Sequence, residues 1–280
     1  MKGVRPVARG TRQGLKRLLR RIARRARPVT VDQLAATTSI FWPTATRSWY
    51  APVLLGPESV AEVATEQETL REVVSTLRLL ERDDYSDYLL EYYQAGLEKF
   101  GANWRYTDIC SVLYSLGKLL QPSSYLEIGV RRGRSMAMVA RTAPNCSLIG
   151  FDLWTPNYSG MPNPGPDFVR AEMHKIGHTG ALTLISGNST ATVPQFLRSQ
   201  PELRLDLITV DGDHSRRVAA ADLRNTLPRL AIGGFLVFDD IALNPGLREL
   251  WHTSVRSSRS YATWEYESLG YGVAIALRKS

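Results

Sequence analysis

The sequence predicts an α/β protein, a doubly wound and mostly parallel sheet preceded by a helical extension. Two observations carry this. From Ser123 onward, short β-rich runs alternate with helical stretches, the spacing of parallel βαβ units with right-handed crossovers. From about Val60 to Leu120 only the helical period is present. The 44% hydrophobic content of this 280-residue chain suits a sizeable core, and no apolar run approaches the roughly 20 residues that a membrane-spanning helix needs.

In the helical region, Val63, Leu70, Val73, Val74, Leu77 and Leu80 form one amphipathic face. Tyr88, Leu89, Tyr92, Tyr93 and Leu97 mark a second helix, and Ile109, Val112, Leu113, Leu116 and Leu119 a third, which Pro122 punctuates. The strand candidates that follow are 124–128, 147–152, 182–186, 206–211 and 234–239. Helical candidates at 134–142, 166–177, 190–199 and 215–230 separate them. Two last runs, 260–268 and 271–279, flank a Leu269-Gly270 turn and read as a closing antiparallel pair, which brings the sheet to seven strands. The chain thus divides into an arm (1–27), a linker with helical lead-in (28–121) and the α/β domain (122–280).

The net charge of +8 belongs to the arm. Residues 1–27 carry eleven Lys and Arg and no acidic residue, so subtracting eleven leaves the other 253 residues at −3. Leu15, Leu18, Leu19 and Ile22 recur at helical spacing among these cations, making a short basic amphipathic segment. Its apolar run is too short and too broken for a signal peptide. Three readings of the arm stand: a solvated tail, a peripheral contact with an anionic membrane, and a nucleic-acid contact or organellar transit peptide. Residues 28–56, with Pro28, Trp42, Pro43, Trp49 and Pro52, read as a linker or surface strap. Cys110 and Cys146 offer neither a disulfide framework nor metal-ligand spacing, which suits a reducing, cytoplasmic setting.

The strongest motif lies at the first strand–turn–helix, Tyr125-Leu126-Glu127-Ile128-Gly129-Val130-Arg131-Arg132-Gly133-Arg134-Ser135. Ligands of parallel sheets bind beyond the carboxyl ends of the strands, and the first βα turn is the usual cradle. Gly129 permits a sharp turn and Gly133 a close backbone approach. The following helix presents free N–H groups to a carboxylate, and Glu127 suits a cationic sulfonium ligand. The glycines are spaced Gly-x-x-x-Gly, unlike the Gly-x-Gly-x-x-Gly of a dinucleotide site. Asp152 ends the second strand, where an acidic side chain accepts hydrogen bonds from ribose hydroxyls, and Asn188 follows the third.

With these motifs, residues 123–241 resemble the catechol-type and macrocin-type branch of the class I O-methyltransferases, a Rossmann-like fold. The resemblance includes Glu-x-Gly-x-x-x-Gly-x-Ser, Val210-Asp211-Gly212-Asp213-His214-Ser215 and Gly233-Gly234-Phe235-Leu236-Val237-Phe238-Asp239-Asp240-Ile241. It implies S-adenosylmethionine as cofactor, held by Glu127, Gly129, Gly133, Ser135, Asp152, Asn188 and Asp211. If the fourth and fifth strands are neighbours, Asp211, Asp239 and Asp240 converge. Such crowding calls for a counter-charge, and hard oxygen ligands suit Mg²⁺. In the similar enzymes a metal there binds the acceptor hydroxyl; otherwise these aspartates only cap loops. For the base, the catechol branch points to the position of His214 and the macrocin branch to Asp213. Trp154–Asp167, with Tyr158 and Met161, reads as an acceptor-binding lid or a plain surface loop.

The expected activity is metal-assisted O-methylation of a small hydroxylated acceptor, a sugar or natural-product intermediate. Two alternatives remain: a catalytically silent S-adenosylmethionine-binding protein tethered by its arm, and an RNA methyltransferase. The confinement of the basic charge to residues 1–27 weighs against nucleic acid. An iron oxygenase would need a 2-His-1-carboxylate set that the motifs lack. A homo-oligomer is compatible with the sequence.

Overall fold

The structure, a computed structural model, describes residues 53–280. The basic arm and residues 28–52 of the strap lie outside the described residues. Among the described residues four helices come first: α1 (Pro57–Ala64), α2 (Gln67–Leu79), α3 (Asp84–Phe100) and α4 (Ile109–Leu120). The alternating region then runs β1 (Ser124–Ile128), α5 (Arg134–Thr142), β2 (Ser147–Asp152), α6 (Pro166–Lys175), β3 (Leu182–Ser186), α7 (Ser189–Ser199) and β4 (Leu205–Val210). It closes with α8 (Arg216–Thr226), β5 (Leu230–Asp239), α9 (Pro245–Trp251), β6 (Tyr261–Tyr266) and β7 (Val273–Arg278).

The seven strands form one sheet in the order β3-β2-β1-β4-β5-β7-β6. β1 to β5 are parallel, and β7 enters antiparallel between β5 and β6. The order reverses between β1 and β4, leaving a crevice at their carboxyl ends where ligands of such sheets bind. The expected seven-stranded, mostly parallel sheet with a helical extension is the observed architecture.

Alternation along each strand feeds two cores. Tyr125, Leu148, Leu207, Phe235 and Val237 join helices α1 to α6 on one face. Leu126, Ile128, Ile149, Phe151, Ile208 and Phe238 join α7 to α9 on the other. The lead-in helices therefore share the core of the sheet. Two capping boxes start α3 and α4: Asp83 with Ser86, and Asp108 with Ser111. Asp83 also pairs with Arg132 and Arg134 of the first βα turn, which ties the helical extension to the crevice.

Some bounds differ from the sequence reading. The 215–230 helix stops at Thr226 and tightens into a 3₁₀ turn at Leu227–Arg229, because Pro228 has no N–H to continue the ladder. β5 begins at Leu230 rather than 234, with a register irregularity opposite Leu205 and Leu207 and with Gly233 at φ +85°. α9, extended by a π-helical turn at His252–Arg256, has no counterpart among the expected elements. Its Trp251 is fully buried and stacks on Phe238 at 5.9 Å between ring centroids.

Candidate active site

The crevice is built first from β1 and the turn that follows it. Strand alternation turns Glu127 opposite to Leu126 and Ile128, into a fully buried position. Ser135 at the start of α5 donates its hydroxyl hydrogen to Glu127 Oε1, while Oε2 is buried without a hydrogen-bond partner. Desolvation, only partly opposed by hydrogen bonds from Ser135 and Tyr125, pushes this carboxyl up to about 8. A buried polar atom left unpaired is unfavourable, so Glu127 marks a position suited to a donor or a cation.

Gly129 holds the turn at φ +96°, with its N–H donating to Phe151 O at 2.9 Å. A Cβ here would stand 1.8 Å from the carbonyl oxygen of Asp211, so only glycine lets the β1 and β4 ends approach this closely. Gly133, at φ +76°, is the N-cap of α5. Between them Arg131, itself at φ +51°, donates its N–H to Asp152 Oδ2 at 2.7 Å. The other oxygen of Asp152 accepts from Trp154 N at 2.6 Å. Two backbone amides thus fix the carboxylate at the end of β2. Asn188 caps α7, accepting from Thr190 N at 3.0 Å and from its hydroxyl at 2.7 Å.

The second half of the crevice is acidic. The pKa of Asp211 is raised by burial and then by Asp239, Asp240 and Glu127, with Arg131 opposing. Asp239 is likewise raised by burial, then by Asp240 and by Asp108. Oxygens of Asp211 and Asp240 and a ring nitrogen of His214 all lie within 4.8 Å of one another. His214 Nε2 is 2.8 Å from Asp240 Oδ2 and 3.9 Å from Asp211 Oδ1. The hydrogen bond to Asp240 raises the pKa of His214 against the effect of burial. Asn244 Nδ2 donates to the His214 carbonyl at 2.9 Å, bracing this loop against the start of α9.

The structure therefore gathers Asp211, His214 and Asp240, whereas the sequence reading grouped Asp211 with both Asp239 and Asp240. Adjacent strand residues project to opposite faces, and Asp240 leaves β5 with φ +63°. Asp213 is exposed, and its Oδ1 accepts from Ser215 N at 2.6 Å; bonds from Ser215 hold its pKa below the usual carboxylate value. That makes Asp213 a weaker base than His214.

Trp154 roots the long β2–α6 segment, with its indole N–H donating to Ser186 Oγ at 2.9 Å. Tyr158 lies 5.7 Å from the guanidinium carbon of Arg131, and Tyr85 of α3 lies 6.0 Å from it. Neither Arg131 nor Tyr85 stood among the expected site residues. The only signal was the triplet of arginines in the turn, which says nothing about which of them lacks an acidic partner.

Residues 126–241 match a protein family described as a methyltransferase domain. An O-methyltransferase of Streptomyces olivaceus that acts at the 4'-position of 8-demethyl-8-(2,3-dimethoxy-alpha-L-rhamnosyl)-tetracenomycin-C is 28% identical. That match covers 44% of this chain and 54% of the relative, so the chain spans about half the length of the curated relative it matches. Among solved structures, the O-methyltransferase TomG of Streptomyces achromogenes, bound to S-adenosylmethionine, aligns with a TM-score of 0.51 at 17% identity. It covers 72% of this chain and 92% of its own. The S-adenosylhomocysteine-bound methyltransferase PaMTH1 of Podospora anserina aligns with a TM-score of 0.50 at 13% identity, covering 99% of this chain and all of its own. At these identities the structures share the fold.

Proposed function

We propose that the chain, whose residues 126–241 match a methyltransferase domain family, transfers a methyl group from S-adenosylmethionine to a hydroxyl of a small acceptor, assisted by a divalent cation. The observation that carries the reading is the buried, half-partnered carboxyl of Glu127 behind a glycine turn at the β1–β4 crevice. A positively charged ligand there supplies what the side chain lacks. Asp152, already oriented by two amides, keeps lone pairs for the ribose hydroxyls. Gly129, Gly133, Ser135, Asn188 and the backbone around Asp211 complete the proposed cofactor cradle.

S-adenosylmethionine supplies a sulfonium methyl with a good leaving group, so the protein's contribution is alignment and deprotonation of the acceptor. Oxygens of Asp211 and Asp240 fit a divalent cation by donor type and mutual distance, beside the ring of His214. Asp239 joins the set only by shifting from its observed position. A cation held there would stabilise an acceptor alkoxide. His214 is the proposed base; its partner Asp240 orients the ring and favours the protonated product. The proposed acceptor chemistry follows the activity of the Streptomyces olivaceus relative, at a sugar hydroxyl on a natural product. A peripheral contact of residues 1–27 with an anionic membrane, in a cytoplasmic setting, rests on charge alone. No helix among the described residues is long and apolar enough to cross a membrane.

Calorimetric titration with S-adenosylmethionine, with and without Mg²⁺, tests the core of this reading beside an Asp152→Ala control. Micromolar binding that the control loses is the expected result. Failure of the wild type to bind in either condition would exclude the methyltransferase reading.

A further inference from the structure

Three arginines crowd the first βα turn, and their surroundings differ. Arg132 pairs with Asp83 at 3.3 Å and reaches Glu81, and Arg134 pairs with Asp83 at 2.9 Å. Both are thereby anchored to the start of α3. Arg131 has no such partner. Its Nε and Nη2 are buried, and neither meets a hydrogen-bond acceptor among the described residues. Its guanidinium carbon lies instead 5.7 Å from the ring of Tyr158 and 6.0 Å from that of Tyr85. Aromatic faces attract a cation but accept no N–H hydrogen bond of ordinary strength. A fixed, desolvated fork of donors flanked by two rings is the arrangement that receives a planar carboxylate or a phosphate in two-pronged fashion.

The side of the crevice decides whose oxyanion this is. Tyr158, 5.7 Å from the guanidinium carbon, belongs to the long β2–α6 segment, and Tyr85, at 6.0 Å, to the first turn of α3. The guanidinium thus sits against the segment that reads as an acceptor-binding lid. Ser135 and the start of α5, which would face the cofactor's amino-acid end, lie on the Glu127 side.

We infer that Arg131 anchors an oxyanion, a carboxylate or phosphate, carried by the acceptor, which makes the acceptor an anionic hydroxylated compound. This rests on the methyltransferase reading for the word acceptor, but the anion site itself does not. Tyr85 and Tyr158 hold the guanidinium in place through their ring faces.

The test uses the full chain as wild type, Arg131→Gln and Arg131→Lys. Benzoate and phenyl phosphate are titrated into each, with and without saturating S-adenosylhomocysteine, and binding of S-adenosylhomocysteine is measured separately. The expected result is a loss of about tenfold or more in the affinity of at least one probe in Arg131→Gln, with Arg131→Lys intermediate. Cofactor affinity should stay within about twofold across the three proteins. Equal affinity of both probes for wild type and Arg131→Gln would overturn the inference. So would a loss of cofactor affinity with probe binding unchanged, because the guanidinium would then serve the cofactor's own carboxylate. Should Arg131→Gln fail to fold, the comparison of wild type with Arg131→Lys decides by the same criteria. Probe binding in a wild type that binds no cofactor would sink the methyltransferase reading and leave the anion site standing.

Discussion

Replacing Glu127 with glutamine separates what this carboxyl costs the fold from what it contributes to binding. Burial pushes its pKa from the ordinary 4.5 to about 8. At about 1.36 kcal/mol per pH unit, that rise sets a ceiling of about 5 kcal/mol on the stability lost when the group ionises. The sign follows from counting protons. Between pH 4.5 and about 8 the native chain holds a proton that the unfolded chain has released. Stability therefore falls as pH rises through that window and is flat on either side. Glutamine matches the neutral acid in shape, can accept from Ser135 Oγ, and cannot ionise. Urea unfolding at about pH 5 should give near-equal stabilities, because the carboxyl is neutral in the folded chain there. At about pH 9 the variant should be the more stable by about 2–3 kcal/mol, the ceiling being reduced by relaxation and water entry. The same change removes a charge-assisted contact worth about 1.5–3 kcal/mol, so S-adenosylmethionine should bind roughly a hundredfold more weakly. Equal destabilisation at both pH values would refute the burial argument. An unchanged affinity would refute the assignment of Glu127 to the cofactor.

Two further outcomes follow from the geometry. Titration of Mn²⁺ by electron paramagnetic resonance should show a site that Asp211→Asn and Asp240→Asn each weaken by about tenfold or more, while Asp239→Asn changes it much less; equal losses in all three would restore the trio expected from sequence. Asp83→Asn should destabilise the fold by about 3–5 kcal/mol in urea unfolding, because it strands two largely buried guanidinium groups and weakens the cap of α3. Bonds from Ser86 and the charges of Arg134 and Arg132 outweigh burial and lower the pKa of Asp83, so its contribution to stability should hold above the usual carboxylate range and fade only as pH falls below it.

Periodicity made the sheet legible because its strands are bounded by strong punctuation and the central ones are buried on both faces. β1, β2 and β3 fall on the residues that the β-rich runs mark. α9 escaped because its seven residues span only two turns, and because Pro245-Gly246 at its start reads as loop. Its helical identity depends on Trp251 reaching Phe238, a contact made across the fold. The first half of β5 was hidden by Gly233-Gly234, which a linear reading takes for a break and the structure uses for an irregularity within the strand. The turn proposed as the cofactor cradle could be located because glycine positions and strand-end acids are local features. The isolation of Arg131 was not legible, since it depends on Asp83, fifty residues upstream, choosing Arg132 and Arg134 instead. The meeting of His214 with Asp240 depends in the same way on β4 lying beside β5.

The charge balance of the crevice leads to one last expectation. Glu127, Asp211 and Asp239 all have raised pKa values, chiefly through burial. A ligand that brings positive charge to Glu127 must displace the proton held there, since a neutral carboxylic acid offers a cation little. With a pKa of about 8, Glu127 is mostly protonated at pH 7. Binding of S-adenosylmethionine at that pH should release close to one proton, and almost none at about pH 9. Affinity should accordingly rise as pH approaches 8 and then level off. Calorimetry in two buffers of different ionisation enthalpy reads the proton count directly. A binding enthalpy independent of buffer at pH 7 would mean that Glu127 keeps its proton in the complex. The carboxyl would then be a hydrogen-bond donor to the cofactor, and the electrostatic account of the site would have to be replaced.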